Sequence, residues 1–396
     1  KFSSLINEHS KNLYNRNIRT EEFNVDQQEE NIKDGDIMIA AITSCTNTTN
    51  PKGMIAAGLV AKNLVEKGIQ RNVNVKTSFA PGSQVTGTIL EESGLQKYLD
   101  QLGFNVIGFG CTTCNGGSGP LPNNLANAIE DNKVFSVAIL SGNRNFQGRI
   151  HPNIRASYLA SPALVVCFSI LGNVLKSFDK DSLGKDKNGN DVFLKDIWPT
   201  NQEIEDYVKK SYKPEFFISK YKEVSDGGQL WDELNIPKTD IYEWSEQSTY
   251  FKKPPYLDTV SEEVSVESQI INVRPLVILG DSITTDHISP SNAITRGTAA
   301  GDYLESKGVK PEDFNNYTTR RAHHDVAMRA TFANLRLRNK ITPDKEGSFT
   351  IKYPERKELR IFEAAMEYKK NNTTLAVFAG ENYGCGCSRD TAAKAI

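Results

Sequence analysis

Three cysteines sit in loops suited to thiolate ligands: Cys45 in SCTN, and Cys111 and Cys114 in CTTC, all among Thr, Asn and Gly. A lone CxxC admits a redox pair, half of a zinc site, or part of an iron–sulfur centre. A redox pair of the thioredoxin type opens a helix, and Asn115-Gly116-Gly117 is a poor helix start. A four-cysteine zinc ribbon needs a second CxxC, although His151 could complete a set of three Cys and one His. Three thiolates on separate loops suit a cubane cluster, which ordinarily takes four and would keep one iron open as a Lewis acid. Of the other cysteines, Cys167 lies inside ALVVCFSIL and reads as a small buried apolar residue. Cys385 and Cys387 share the loop GCGC, which also admits a CxC metal or redox pair.

Two further groups are built to hold carboxylates. Arg144 and Arg149 stand five apart in GNRNFQGR with Asn143 beside them, and the arginine fork binds a carboxylate through two parallel hydrogen bonds. The segment Gly384-Cys385-Gly386-Cys387-Ser388-Arg389 lies between the strand-like LAVFAG and a helix expected to start near Asp390. Backbone N–H groups at such a helix start attract an anion. Asp286 and His287 in TTDHISP add a polar pair on another loop.

These loops need a scaffold that brings them together. From Asp36 to about Gly172, short apolar runs (DIMIAAIT, NVKTSFA, FNVIGFG, VFSVAILS) alternate with helical patterns, which predicts a parallel sheet with helices on its faces. Cys45, Cys111 and Asn143 each follow one of those runs, and ligands of open parallel sheets sit beyond the carboxyl ends of the strands. A second αβ pattern starts at PLVILGDS and runs through FTIKY, the helix IFEAAMEYKK and the strand LAVFAG. The expected division is an arm over 1–36, a cluster domain over 37–175, a linker over 176–270 holding all three Trp as anchors, and a second α/β domain over 271–396. The fold class is therefore α/β: a three-layer parallel-sheet domain, a long linker and a further α/β domain.

The 396 residues are 38% hydrophobic and 24% charged, with 47 Lys and Arg against 49 Asp and Glu. That balance gives no electrostatic footprint for nucleic acid or an anionic membrane. Six cysteines in so long a chain do not make a disulfide scaffold. The apolar run Ala163–Leu171 is too short to span a bilayer, and the first residues lack a secretory signal.

The segments AITSCTNTTNP, FAPGSQV, GFGCTTCNGGSGPL, LSGNRNFQGRIHP, LASPALVV and GDSITTDHISPSNAI, in this order, resemble the long single-chain aconitases, a family that includes the iron-regulatory proteins. The resemblance runs nearly end to end. It implies a [4Fe–4S] cluster on Cys45, Cys111 and Cys114, and a lyase of the tricarboxylic acid cycle that isomerises citrate to isocitrate through cis-aconitate. It implies substrate contacts from Asn143, Arg144, Arg149, Ser388 and Arg389, and active-site hydrogen bonding at Asp286 and His287. The family's further substrate arginine falls on Lys307, which keeps the charge and loses the fork. Its proton-abstracting serine falls on Cys387, a larger group and, once ionised, a weaker proton acceptor.

Several expectations follow from the same resemblance. The nearest rival substrate is 2-methylcitrate, and the rival class is a cluster-free RNA-binding protein. The expected partner is a small tricarboxylate, with no membrane; the complete protein is expected to be a monomer in the cytoplasm or mitochondrial matrix. The match begins after the family's N-terminal domains and stops inside the last one, so this chain alone is expected not to turn over citrate.

Overall fold

The computed structural model describes residues 2–28, 30–43, 50–142, 149–222, 227–235, 239–258, 271–386 and 390–394. The chain divides into two compact units, Lys1–Pro237 and Lys238–Ile396. Each has its own apolar core.

In the first unit, β1 (Ile37–Ile42), β2 (Lys76–Phe79), β3 (Val137–Leu140) and β4 (Ala156–Leu159) form one sheet in the order β2-β1-β3-β4, every pairing parallel. The central strand IMIAAI is buried at every position, as a strand covered on both faces must be. Ile37, Ala40 and Ile42 join the core under the helices Pro51–Lys67 and Pro162–Leu171, while Met38, Ile39 and Ala41 face the core of the helix Asn123–Asp131. This gives three layers. The expected α/β class holds.

The helix Pro51–Lys67 is specified locally. Asn50 accepts from the amides of Lys52 and Gly53, Pro51 takes the first position, and Gly68 closes the end in the left-handed conformation. Gly58 admits its neighbour, because a Cβ there would stand 2.7 Å from the Leu95 side chain.

Two strand expectations need correction. FNVIGFG forms no strand: it meets the sheet only at a bridge between Phe79 and Val106, and Val106, Ile107 and Phe109 are exposed. The edge it would have taken belongs to β2, and the opposite edge is filled by β4, whose polar-interrupted ASYL carries a weak apolar signal.

The arm and the start of the linker also differ from expectation, for both are built into the first unit. Ile6 enters one core, and Val25 and Ile32 enter the other. The Asp34 side chain is wholly buried between Arg16 and Arg19. Burial alone would raise its carboxyl, but donors from Arg16 and from the Phe135 and Arg19 amides outweigh this and hold it below the ordinary carboxylate range. Beyond the sheet, a short hairpin pairs β5 (Gly184–Lys185) with β6 (Asp191–Val192). The helices Asn201–Ser211 and Pro214–Lys222 then lay Ile204, Tyr207, Val208, Phe216 and Phe217 against the larger core.

In the second unit β7 (Arg274–Ile278) pairs in parallel with β10 (Leu375–Phe378), and β8 (Phe349–Lys352) forms an antiparallel hairpin with β9 (Lys357–Arg360). The helix Ile361–Lys370 packs Ile361 and Ala364 onto this core. Trp231, Tyr242 and Trp244 of the expected linker are exposed and do not anchor it. Its hold in the second unit includes Arg320, which is buried, donates to the Thr249 carbonyl and hydroxyl, and lies 4.0 Å over the Tyr250 ring, and Lys252, whose ammonium pairs with Asp325 at 2.8 Å.

Candidate functional site

The chain leaves β1 and β3 in opposite directions, because β2 lies on one side of β1 and β4 on the far side of β3. A crevice opens at such a switch point beyond the carboxyl ends of the strands. Thr43 stands at the end of β1, two residues before Cys45; Ser141 stands at the end of β3, two residues before Asn143. The two are bonded directly. The Thr43 amide donates to Ser141 Oγ at 2.9 Å, and that hydroxyl donates to the Thr43 carbonyl at 3.1 Å.

The third loop joins them through Gly110. Its carbonyl accepts from the Thr43 hydroxyl at 3.4 Å, and its amide donates to the Pro81 carbonyl of the FAPGSQV segment at 2.7 Å. Gly110 has φ +77°, a left-handed conformation that a side chain would strain. Cys111 follows it and is exposed; Cys114 is buried in a short 3₁₀ turn, Thr113–Asn115. The turn is closed by Gly116 and Gly117, whose amides reach the Thr113 and Thr112 carbonyls, and braced by a 2.7 Å bond from Ser118 to the Thr113 hydroxyl.

Arg149 is buried, and its guanidinium donates to the side-chain oxygen of Asn115, the residue after Cys114. The loop after β3 therefore begins at Ser141 against Thr43 and ends at Arg149 against the cysteine turn. Cys45, Asn143 and Arg144 lie outside the described residues.

His151 does not present itself as a ligand. Its Nε2 faces the Leu121 amide at 3.3 Å and its Nδ1 the Asn153 amide at 3.2 Å. Burial, helped by the nearby Lys76 cation, pushes its pKa down to about 4, so the ring is neutral. Lys76 in turn ties down the end of the cysteine loop, donating to the Pro120 carbonyl at 2.7 Å. The described donors at this turn are thus two thiols, with the one histidine turned to backbone.

In the second unit the loops after β7 and β10 run side by side. Ser282 donates to the Glu381 carbonyl, Gly384 to that of Ile283, and Thr285 to that of Cys385 at 3.0 Å. Asp286 is buried, and its carbonyl accepts from the Asn334 side chain at 3.0 Å. His287 Nδ1 accepts from the Thr284 amide at 3.0 Å, which places the proton of the neutral ring on Nε2. Burial keeps that ring neutral, lowering its pKa against the opposing pull of Asp286.

Cys385 is exposed at the end of this ladder, and Cys387, Ser388 and Arg389 lie outside the described residues. The helix Asp390–Lys394 places its Ala392 in the core. Lys307 lies elsewhere, exposed at the end of the helix Ala299–Ser306 with its Nζ 5.8 Å from the Tyr303 ring of that helix.

Residues 2–172 match the sequence model of the aconitase family (aconitate hydratase), and residues 300–396 match that of the aconitase C-terminal domain. The chain belongs to the aconitase family. It is 48% identical over 372 residues to aconitate hydratase A of Legionella pneumophila, covering 94% of this chain and 42% of that protein. It is 49% identical over 360 residues to aconitate hydratase A of Thermus thermophilus, covering 91% of this chain and 40% of that protein. The aconitase-family chain described here thus spans about two fifths of the length of these curated relatives.

Aconitate hydratases use a [4Fe–4S] cluster. The donor set described here fits one, since two thiols share a turn at the sheet's carboxyl edge and the loop to a third cysteine leaves from Thr43 beside it. Among the described residues no helix is long and apolar enough to cross a membrane.

The residues that sequence reasoning passed over are Thr43, Ser141 and Asn115. The signal was present in part: a buried hydroxyl ends the apolar runs IMIAAIT and VAILS, where another apolar residue would fit the pattern.

Proposed function

We propose that this chain serves a hydro-lyase reaction interconverting citrate and isocitrate through cis-aconitate. The supporting observation is the meeting of three loops at Thr43, Gly110 and Ser141, at the switch point of a parallel sheet, in a member of the aconitase family. Cys111 and Cys114, with Cys45, would hold the cluster, which when bound supplies a Lewis acid for the substrate hydroxyl and carboxylate.

The chain's own residues do the rest. Arg149, whose guanidinium is oriented by Asn115, binds a second carboxylate, with Arg144 and Asn143 on the same loop. In the second unit, Ser388 and Arg389, which precede the helix at Asp390 in sequence, are suited to bind a carboxylate. Cys387 takes the carbon-bound proton. A thiolate forms at about pH 8.5, far more easily than an alkoxide, but is the weaker base, so proton removal is slow with Cys at this position. His287, with its proton on Nε2, serves as a hydrogen-bond donor near Asp286. Bulk water in the cytoplasm or mitochondrial matrix is the setting, and the carboxylate-binding groups suit a tricarboxylate in either.

The test is anaerobic reconstitution of the chain, followed by iron and sulfide analysis and visible spectroscopy. Uptake of iron and sulfide, with charge-transfer absorbance that changes on adding citrate more than 2-methylcitrate, is the expected result. A colourless, zinc-loaded protein sinks the cluster. A larger response to 2-methylcitrate reassigns the substrate.

A further inference from the structure

We propose that Thr43 and Ser141 are positioning residues: their buried hydroxyls clamp the loop to Cys45 and the loop of Cys111 and Cys114 in one register. The inference rests on the cluster reading above and goes beyond it, since neither hydroxyl is a ligand.

Thr43 and Ser141 are both fully buried, at the ends of β1 and β3. Backbone pairing between β1 and β3 ends with the Ser141 amide donating to the Ala41 carbonyl at 3.0 Å. Past that bond the ladder is continued by a side chain, with Ser141 Oγ accepting from the Thr43 amide and donating to the Thr43 carbonyl. One hydroxyl thus satisfies both backbone groups of the residue at which the chain turns away.

The Thr43 hydroxyl extends the clamp to Gly110, the residue before Cys111. Gly110 has no side chain to hold it, and its backbone is gripped from both sides, by Pro81 through its amide and by Thr43 through its carbonyl. Ala80 closes the circuit, donating to the Ile42 carbonyl at 2.8 Å. The bonded path therefore runs from β2 through Pro81, Gly110 and Thr43 to Ser141. Every loop that carries a cysteine ligand, and the one that carries Arg149, departs from a residue on or next to it. Three thiolates must meet one cluster within a few tenths of an ångström, and groups held by loops alone lack that tolerance unless a supporting layer fixes them.

The experiment compares Thr43→Val, Thr43→Ser and Ser141→Ala with the wild-type chain, each shown folded by circular dichroism. In cluster-free protein, a short bifunctional thiol reagent reports how often Cys45 meets Cys111 or Cys114, read by mass spectrometry of the linked peptides. In reconstituted protein, release of iron to a chelator reports how firmly the cluster is held.

Thr43→Val, which removes one hydrogen bond, is expected to lower the crosslinking rate and to speed iron release by about fivefold, and Ser141→Ala, which removes two, by about twenty- to thirtyfold. Thr43→Ser, which restores the hydroxyl, is expected to behave as wild type. Wild-type rates in both Thr43→Val and Ser141→Ala would overturn the proposal, as would a loss in Thr43→Ser with wild-type rates in Thr43→Val, which would make the methyl the working part. A wild-type chain that takes up neither iron nor sulfide would overturn the cluster reading instead, and the crosslinking rates would still decide on Thr43 and Ser141.

Discussion

His151 and Asp36 face the same problem, a titratable group buried in the first unit, and answer it with opposite signs. The His151 pKa falls to about 4 in the folded chain, so the unfolded chain binds the extra proton and stability drops as pH falls below the ordinary histidine value. The loss amounts to roughly 2 kcal/mol by pH 5. Asp36 goes the other way: burial pushes its carboxyl up to about 6 despite donors from Asn173 and the Lys33 amide. There the folded chain binds the extra proton, and stability rises as pH falls from 7 towards 5 by about 1 kcal/mol. Melting curves at pH 5 and 7 separate the two. His151→Asn should lessen the loss on acidification and Asp36→Asn should deepen it; a pair of variants moving in the same direction contradicts the assignment. At the proposed base position, Cys387→Ser, made in a protein that also carries the family's N-terminal domains, should raise turnover and abolish inactivation by thiol alkylation there, and a slower serine variant would show that the thiolate is the better base at this position.

At the level of elements, glycines and caps set how closely the pieces approach. Gly58 lets the helix Pro51–Lys67 lie against Leu95, and a methyl there meets that side chain well inside contact distance. Gly58→Ala should therefore cost about 1–3 kcal/mol in denaturant unfolding, as overpacking generally does. Gly110→Ala differs in kind. Nothing crowds the added methyl, so the cost of about 1–2 kcal/mol comes from forcing a side chain into a left-handed backbone. Because that strain sits beside Cys111, the variant should also lose iron faster than Gly58→Ala does at matched stability, which chelator kinetics would show.

Over the whole molecule, each of the two units has a core of its own, and the first depends on a buried ion pair. Asp34 joins the segment after the first helix to the strand-entering Phe135, with Arg16 and Arg19 on its open side. Removing one partner of a buried pair strands the others, and Asp34→Ala is expected to lower the stability of the first unit by about 3–5 kcal/mol. Trp198 belongs to that unit and Trp244 to the other, so the fluorescence of single-tryptophan variants would report the units separately. A shift confined to Trp198 is expected; an equal shift at Trp244 would show that the units unfold together.

Much of this was legible in the chain itself. Apolar runs of strand length, helical periodicities between them, and Cys45, Cys111, Asn143 and Asp286 at the ends of runs declare an α/β protein whose chemistry lies in its loops, since period and cap residues are local properties. Strand order is not local. That β2 keeps the edge beside FNVIGFG, that ASYL fills the opposite edge, and that Ile6, Val25 and Ile32 enter the core, depends on which surfaces can be buried together. The clamp of Thr43, Gly110 and Ser141 is likewise hidden from the sequence, because its members lie 67 and 98 positions apart, and a hydroxyl at a strand end reads the same whether it meets water or another loop. Residue type determined what the site could bind. Only the burial of both hydroxyls against backbone decided where its loops begin.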